Sequence, residues 1–174
     1  MSDPSTGVDD PALSEDGLTD TEEFDSVAGI IGDGIVGAAG GLVGTAMSTV
    51  VLLIAQSLGA FSITDFAILT ELVGLEGYVP AVLFGYVIFL GGGMFPWPLL
   101  FASLKTYLPG QSSPVSGAFF GGAMWTGFVL AFYTDQSGLG LALYAVLTLA
   151  AHVVYGIGLG AVFDYFATRP DSIV

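Results

Sequence analysis

Charged side chains leave four long gaps along the chain. Apart from one histidine, residues 34–64, 77–104, 106–134 and 136–163 form uncharged runs of 28 to 31 residues. About 20 apolar residues of helix cross the hydrocarbon core of a bilayer, so each gap predicts one span. A β-barrel needs segments of roughly 10 residues that alternate apolar and polar, and that alternation is absent. Helices satisfy their own backbone groups in lipid. The pattern therefore predicts an all-α polytopic membrane protein with four transmembrane helices, at about 34–58, 79–104, 115–133 and 139–164.

Around these spans the chain divides into an acidic, disordered tail over 1–26, a transmembrane domain over 27–166 and a C-terminal stub over 167–174. The first helix has room to begin earlier, through Val27–Gly32. In the linker Gly59–Gly77, Ser62 stands three residues before Asp65 as a capping box, and Phe66, Leu69 and Val73 share one helical face. A short amphipathic helix near the membrane surface, between the first and second spans, is expected there. Breakers in Tyr107-Leu-Pro-Gly-Gln-Ser-Ser-Pro114 turn the chain between the second and third spans.

Composition agrees with the spans: 53% of residues are hydrophobic and 10% charged, against about 25% charged in soluble domains. The net charge of −14 comes from 16 acids set against Lys105 and Arg169. That balance excludes a nucleic-acid surface. Ten of the acids fall before residue 34, which makes the tail a solvated arm or a segment that folds on a partner. Scarcity of lysine and arginine points to a halophilic source, where screening makes a large negative charge tolerable. Lys105 and Arg169 lie on the same side as both termini, so the positive-inside rule puts that side in the cytoplasm and the protein in the cell membrane. With no cysteine there is no disulfide framework or thiolate site.

An internal repeat reads G-x-x-x-G-x-A-M-x-T at 40–49 and again at 117–126, at the starts of the first and third spans. It predicts two pseudo-repeated helix pairs related by an axis along the membrane normal. Small residues four apart recur as Gly40/Gly44, Gly117/Gly121 and Gly156/Gly160. Such pairs let backbones approach closely, either within the bundle or as a surface for a homo-oligomer or a membrane partner subunit.

His152 is the sole histidine and falls near the middle of the fourth span. An ionisable group at that depth is a functional candidate by default. The readings are a structural histidine bonded to a neighbouring helix, a proton or substrate pathway, and haem or metal ligation. Gly91, Gly92, Gly93, Pro96 and Pro98 interrupt the second span, because prolines lack an N–H and glycines weaken the helix. The break is a packing kink or a binding feature, as in transporters. Asp33 and Asp164 sit at the inner boundary, and Asp65, Glu71 and Glu76 in the outer linker. Trp97, Tyr107, Tyr133, Tyr144 and Tyr165 fall near span ends, as aromatic belts do. Gly156-Ile-Gly-Leu-Gly160 lies inside a span with no preceding strand and is not a dinucleotide site.

The run Trp97-Pro-Leu-Leu-Phe, Tyr107-Leu-Pro-Gly110, Gly117-x-x-x-Gly121-x-x-x-Trp125 and His152-x-x-Tyr155-Gly156-x-x-x-Gly160 resembles a haloarchaeal family of small four-helix membrane proteins classed as a domain of unknown function. The resemblance covers about 30–166 and carries no activity. Some relatives bear a respiratory-oxidase label, but one histidine does not supply the haem and copper ligands of a catalytic subunit. The expectation is a non-enzymatic membrane protein of the lipid bilayer, without cofactor or metal, acting as an accessory subunit. The alternatives are a small oligomeric transporter or channel, and a haem-binding electron-transfer subunit.

Overall fold

The computed structural model describes residues 15–133 and 136–168. Helix α1 runs over Glu15–Ser57, followed by a 3₁₀ turn at Ile63–Phe66 and helix α2 at Ala67–Leu72. Then come α3 (Ala81–Met94), α4 (Pro96–Leu104), α5 (Ser113–Ala131) and α6 (Gly138–Ala167). Among the described residues the protein is all-helical and has no strand. Four segments are long and apolar enough to cross a membrane: Gly34–Ser57, Ala81–Leu104, Ser113–Ala131 and Gly138–Ala167. Exposed side chains on these segments include Val50, Leu53, Val87, Leu130 and Val146, a surface that matches lipid better than water.

The segment before the first span differs from expectation. Residues 15–26, read as disordered tail, continue α1. The stretch 18–28 contains neither Gly nor Pro, so nothing in it stops a helix propagating back from the span. Residues 1–14, Arg169 and most of the expected C-terminal stub lie outside the described residues.

Helix α1 stops at Gly59, whose φ of +70° supplies the left-handed residue of a Schellman cap. Its N–H bonds the Gln56 carbonyl at 2.9 Å, and the next N–H, of Ala60, bonds that of Ala55 at 2.9 Å. The short helix expected between the first and second spans is present as α2, and it and the 3₁₀ turn pack against α3. Phe66 is buried, and the Thr70 hydroxyl donates to the Ala81 carbonyl at 2.6 Å. Val73, placed on one helical face with Phe66 and Leu69, caps the end of α2 and is exposed. The buried pair is Phe66 and Thr70, four apart, because the 3₁₀ turn rotates the following helix relative to a continuous α pattern. Half of the capping box forms: Asp65 interacts with the backbone N–H of Ser62, while the Ser62 hydroxyl accepts from Thr64 at 3.3 Å.

Helix α6 is central. It packs along α1 on one side and α5 on the other, while α3 and α4 pack against α1. Both copies of the sequence repeat face α6. A Cβ on Gly44 or Gly40 would meet Tyr155 or Leu159, and one on Gly121 or Gly117 would meet the carbonyl of His152 or Gly156. The two pairs are packed unequally, since α3 and α5 stay apart over the middle of the bundle.

Aromatic clusters pack toward both ends of the bundle. Near the Gly59–Gly77 linker, Phe66 reaches Phe89 of α3 at 4.9 Å and Phe132 at the end of α5 at 6.3 Å between ring centroids. At the Lys105 end, Phe101 of α4 meets Phe120 of α5 at 5.4 Å and Phe163 of α6 at 5.5 Å. The Lys105 ammonium lies 5.3 Å from the Phe163 ring centroid, a cation–π contact.

Candidate functional site

The second span breaks at Phe95. Gly91, Gly92 and Gly93 remain helical within α3, and α4 starts afresh at Pro96. Pro96 and Pro98 have no N–H to offer the carbonyls of Gly92 and Met94, four residues before each. Between these carbonyls, that of Gly93 accepts the Tyr155 hydroxyl of α6 at 2.8 Å. Gly93 is also a contact point, since a Cβ there would collide with the Thr45 hydroxyl of α1.

His152 lies two turns below the fully buried Tyr144, and its ring is buried against Phe128 at 4.6 Å between centroids. Its Nδ1 is 2.8 Å from the Thr148 carbonyl of its own helix. The expected bond to a neighbouring helix is therefore absent: an i−4 carbonyl lies within reach and satisfies one nitrogen locally. A carbonyl only accepts, so Nδ1 carries the proton and Nε2 of the neutral ring is an acceptor. No described residue partners that Nε2. The Thr148 hydroxyl donates to the Tyr144 carbonyl at 2.6 Å and accepts from the Trp125 indole N–H at 2.9 Å. Turn by turn, this side of α6 is fixed.

His152 separates two cavities. The smaller, of about 40 Å³, is lined by Thr45, Ser48, Gly93, Trp97, His152 and Tyr155, with Phe89 and Met124. The Thr45 hydroxyl is buried and without a partner, and Ser48, 2% exposed, makes no side-chain hydrogen bond. The larger, of about 510 Å³, is the gap between α3 and α5. Its walls are mostly apolar, among them Ile88, Phe89, Ala123, Gly127 and Phe128, and Trp97 and His152 line it as well. Unpaired polar atoms at such depth are costly, which singles out the junction of the two cavities.

The structure thus brings His152, Gly92, Gly93 and the start of α4 to one place. Pro98 is buried on the α1 side, next to Gly37 and Gly41. Gly91 has open space around it. Gly40, Gly44, Gly117, Gly121, Gly156 and Gly160 lie at helix contacts around α6, with Gly117 and Gly156 facing each other and Gly160 against Ser113. One residue assigned to the aromatic belt sits elsewhere: Tyr144 is fully buried. Sequence reasoning passed over Thr45 and Ser48. The available signal was two hydroxyls three apart on one helical face of an otherwise apolar run.

Outside the spans, burial pushes the Asp65 carboxyl above its ordinary range, and the Ser62 N–H partly offsets this. Asp65, Glu71 and Glu76 form no group able to hold a metal, and neither do any other described residues.

The pattern that defines a family of unknown function (DUF6789) matches residues 31–174. No curated protein and no solved structure matches the chain.

Proposed function

The chain belongs to this family of unknown function, and for it we propose a non-enzymatic role: holding a small, bilayer-soluble apolar molecule in the cleft between α3 and α5. One observation carries the proposal, an apolar cleft of about 510 Å³ whose lining includes a buried histidine. That volume falls within the usual range for small-molecule sites, about 300–1,000 Å³. A spanning helix, ~10 Å across and ~30 Å long, occupies more than about 2,000 Å³. A cleft of about 510 Å³ therefore does not seat a partner helix. Its mostly apolar lining argues against a conduction path there. An accessory-subunit role remains compatible with the proposal, the bound molecule being what the subunit contributes. We place the protein in the cell membrane with the Lys105 end cytoplasmic, and its acidic composition suits a salt-adapted cell.

The test uses Trp97 as a reporter, in a Trp125→Phe background that leaves it the sole tryptophan. A bromine-bearing alkyl chain titrated into protein in liposomes should quench Trp97 saturably. Gly127 lines the cleft and has open space at its Cβ position, so Gly127→Leu should fill the cleft without disturbing the bundle and remove the saturable component. Quenching that rises linearly, equally in both proteins, would overturn the reading.

A further inference from the structure

Three residues lining the smaller cavity carry polar atoms that lack partners, and one of them, His152, also lines the larger; together they describe one chemical group. His152 Nε2 is an acceptor, because Nδ1 donates to Thr148. Thr45 and Ser48 each present a hydroxyl with nothing to bond to. Both residues and His152 line the same cavity of about 40 Å³. This exceeds the roughly 10–15 Å³ that one water requires, yet it is far too small for a charged head with its hydration.

We infer that the cleft takes an apolar molecule whose head is a single neutral hydroxyl, an alcohol or phenol on a chain or ring body, and that His152, Thr45 and Ser48 read that head. A hydroxyl has one donor and two acceptor lone pairs. Its proton meets Nε2, and its lone pairs receive the Thr45 and Ser48 hydroxyls. All three orphan atoms are then satisfied by one group, while the apolar body fills the gap between α3 and α5. Other heads fit less well. An ether or ketone oxygen only accepts, so it leaves Nε2 unpaired. A carboxylate sets its lone pairs against that of Nε2 and brings a charge to mid-membrane depth, where charge is costly.

Recognition of this kind rests on the proposed apolar cleft, and the experiment separates the two. Matched brominated chains ending in a hydroxyl, a methyl ether or a carboxylate are titrated against Trp97 in the liposome assay. The alcohol should bind about tenfold more tightly than the ether, the difference expected for one well-made hydrogen bond to a buried acceptor, and the carboxylate should bind most weakly. His152→Leu removes the acceptor that only the alcohol's proton uses, so it should bring the alcohol close to the ether. Thr45→Val removes a hydroxyl that has no partner in the protein and that either oxygen accepts from, so it should preserve folding and weaken alcohol and ether alike, leaving the gap between them. As a second measurement, the alcohol should raise the thermal midpoint of the otherwise unaltered protein more than the ether does. If alcohol and ether bind equally, the small cavity holds only water and head recognition is wrong, although the cleft reading survives. If none of the three chains quenches saturably, both fall.

Discussion

The Tyr155 hydroxyl donates to the Gly93 carbonyl at 2.8 Å, joining the central helix to the point where the second span breaks. A break at membrane depth exposes carbonyls that lipid does not satisfy. Here one of them is met from α6, by a residue three positions after His152. The bond holds Gly93 against Thr45, and thereby shapes the small cavity that both residues line.

Removing that hydroxyl has a definite expected effect. Tyr155→Phe leaves the Gly93 carbonyl unpaired and should lower stability by about 1 kcal/mol, at the upper side of the ~0.6 kcal/mol average for hydrogen bonds between membrane helices. Tyr144 supplies the control, since its hydroxyl is buried without a partner. Tyr144→Phe should be neutral or stabilising. Thermal midpoints in detergent decide, and equal losses for both variants would remove the special role of the Gly93 bond.

Neighbouring glycines in α5 should respond in opposite directions. A Cβ on Gly121 would collide with the His152 carbonyl, whereas one on Gly122 meets nothing within 4 Å. Gly122→Ala should gain about 0.5–1 kcal/mol from helix propensity alone. Gly121→Ala should lose about 1–3 kcal/mol by forcing α5 and α6 apart. A gain in thermal midpoint for Gly121→Ala would mean that α5 and α6 pack less closely than this.

The spans were legible because lipid tolerates so few charges, and gaps between charges therefore record membrane thickness directly. The interruption of the second span was legible in composition but not in position. Glycine within a helix costs only about 1 kcal/mol against alanine, and Gly91–Gly93 stay helical, while Pro96 and Pro98 remove donors outright and set the break at Phe95. His152 was identified by depth alone. Its local bond to Thr148 was not foreseen, because the carbonyl of every preceding turn is an available partner. The cleft was the least legible feature. It lies between residues of α3 and α5 that are remote in sequence, a separation that no local pattern along the chain records.

Asp65 gives the linker a pH dependence of known sign. Burial raises its carboxyl in the folded state, so the folded protein holds that proton more tightly than the unfolded chain does. Stability from this group is fully present below the ordinary carboxylate range and is lost as pH rises through the raised folded value. Asp65→Asn mimics the protonated form. Its thermal midpoint should match that of the unaltered protein at the acid end and exceed it near neutrality. A midpoint below it near neutrality would show that the ionised carboxylate, through its Ser62 contact, is the stabilising form.

The proposed orientation rests on where the single lysine sits. Lys105 ends α4, and the loop beyond it carries the exposed Ser112, while the exposed Ser137 precedes α6 at the opposite end of the bundle. A basic residue next to a span favours the cytoplasmic side, and acids contribute little to the choice. The chain contains no cysteine, so Ser112→Cys and Ser137→Cys each introduce a unique thiol. In intact cells an impermeant maleimide should label the second and spare the first, and permeabilisation should expose both. Labelling of Ser112→Cys alone before permeabilisation would invert the protein in its membrane. The bundle would then present its Lys105 end to the outside.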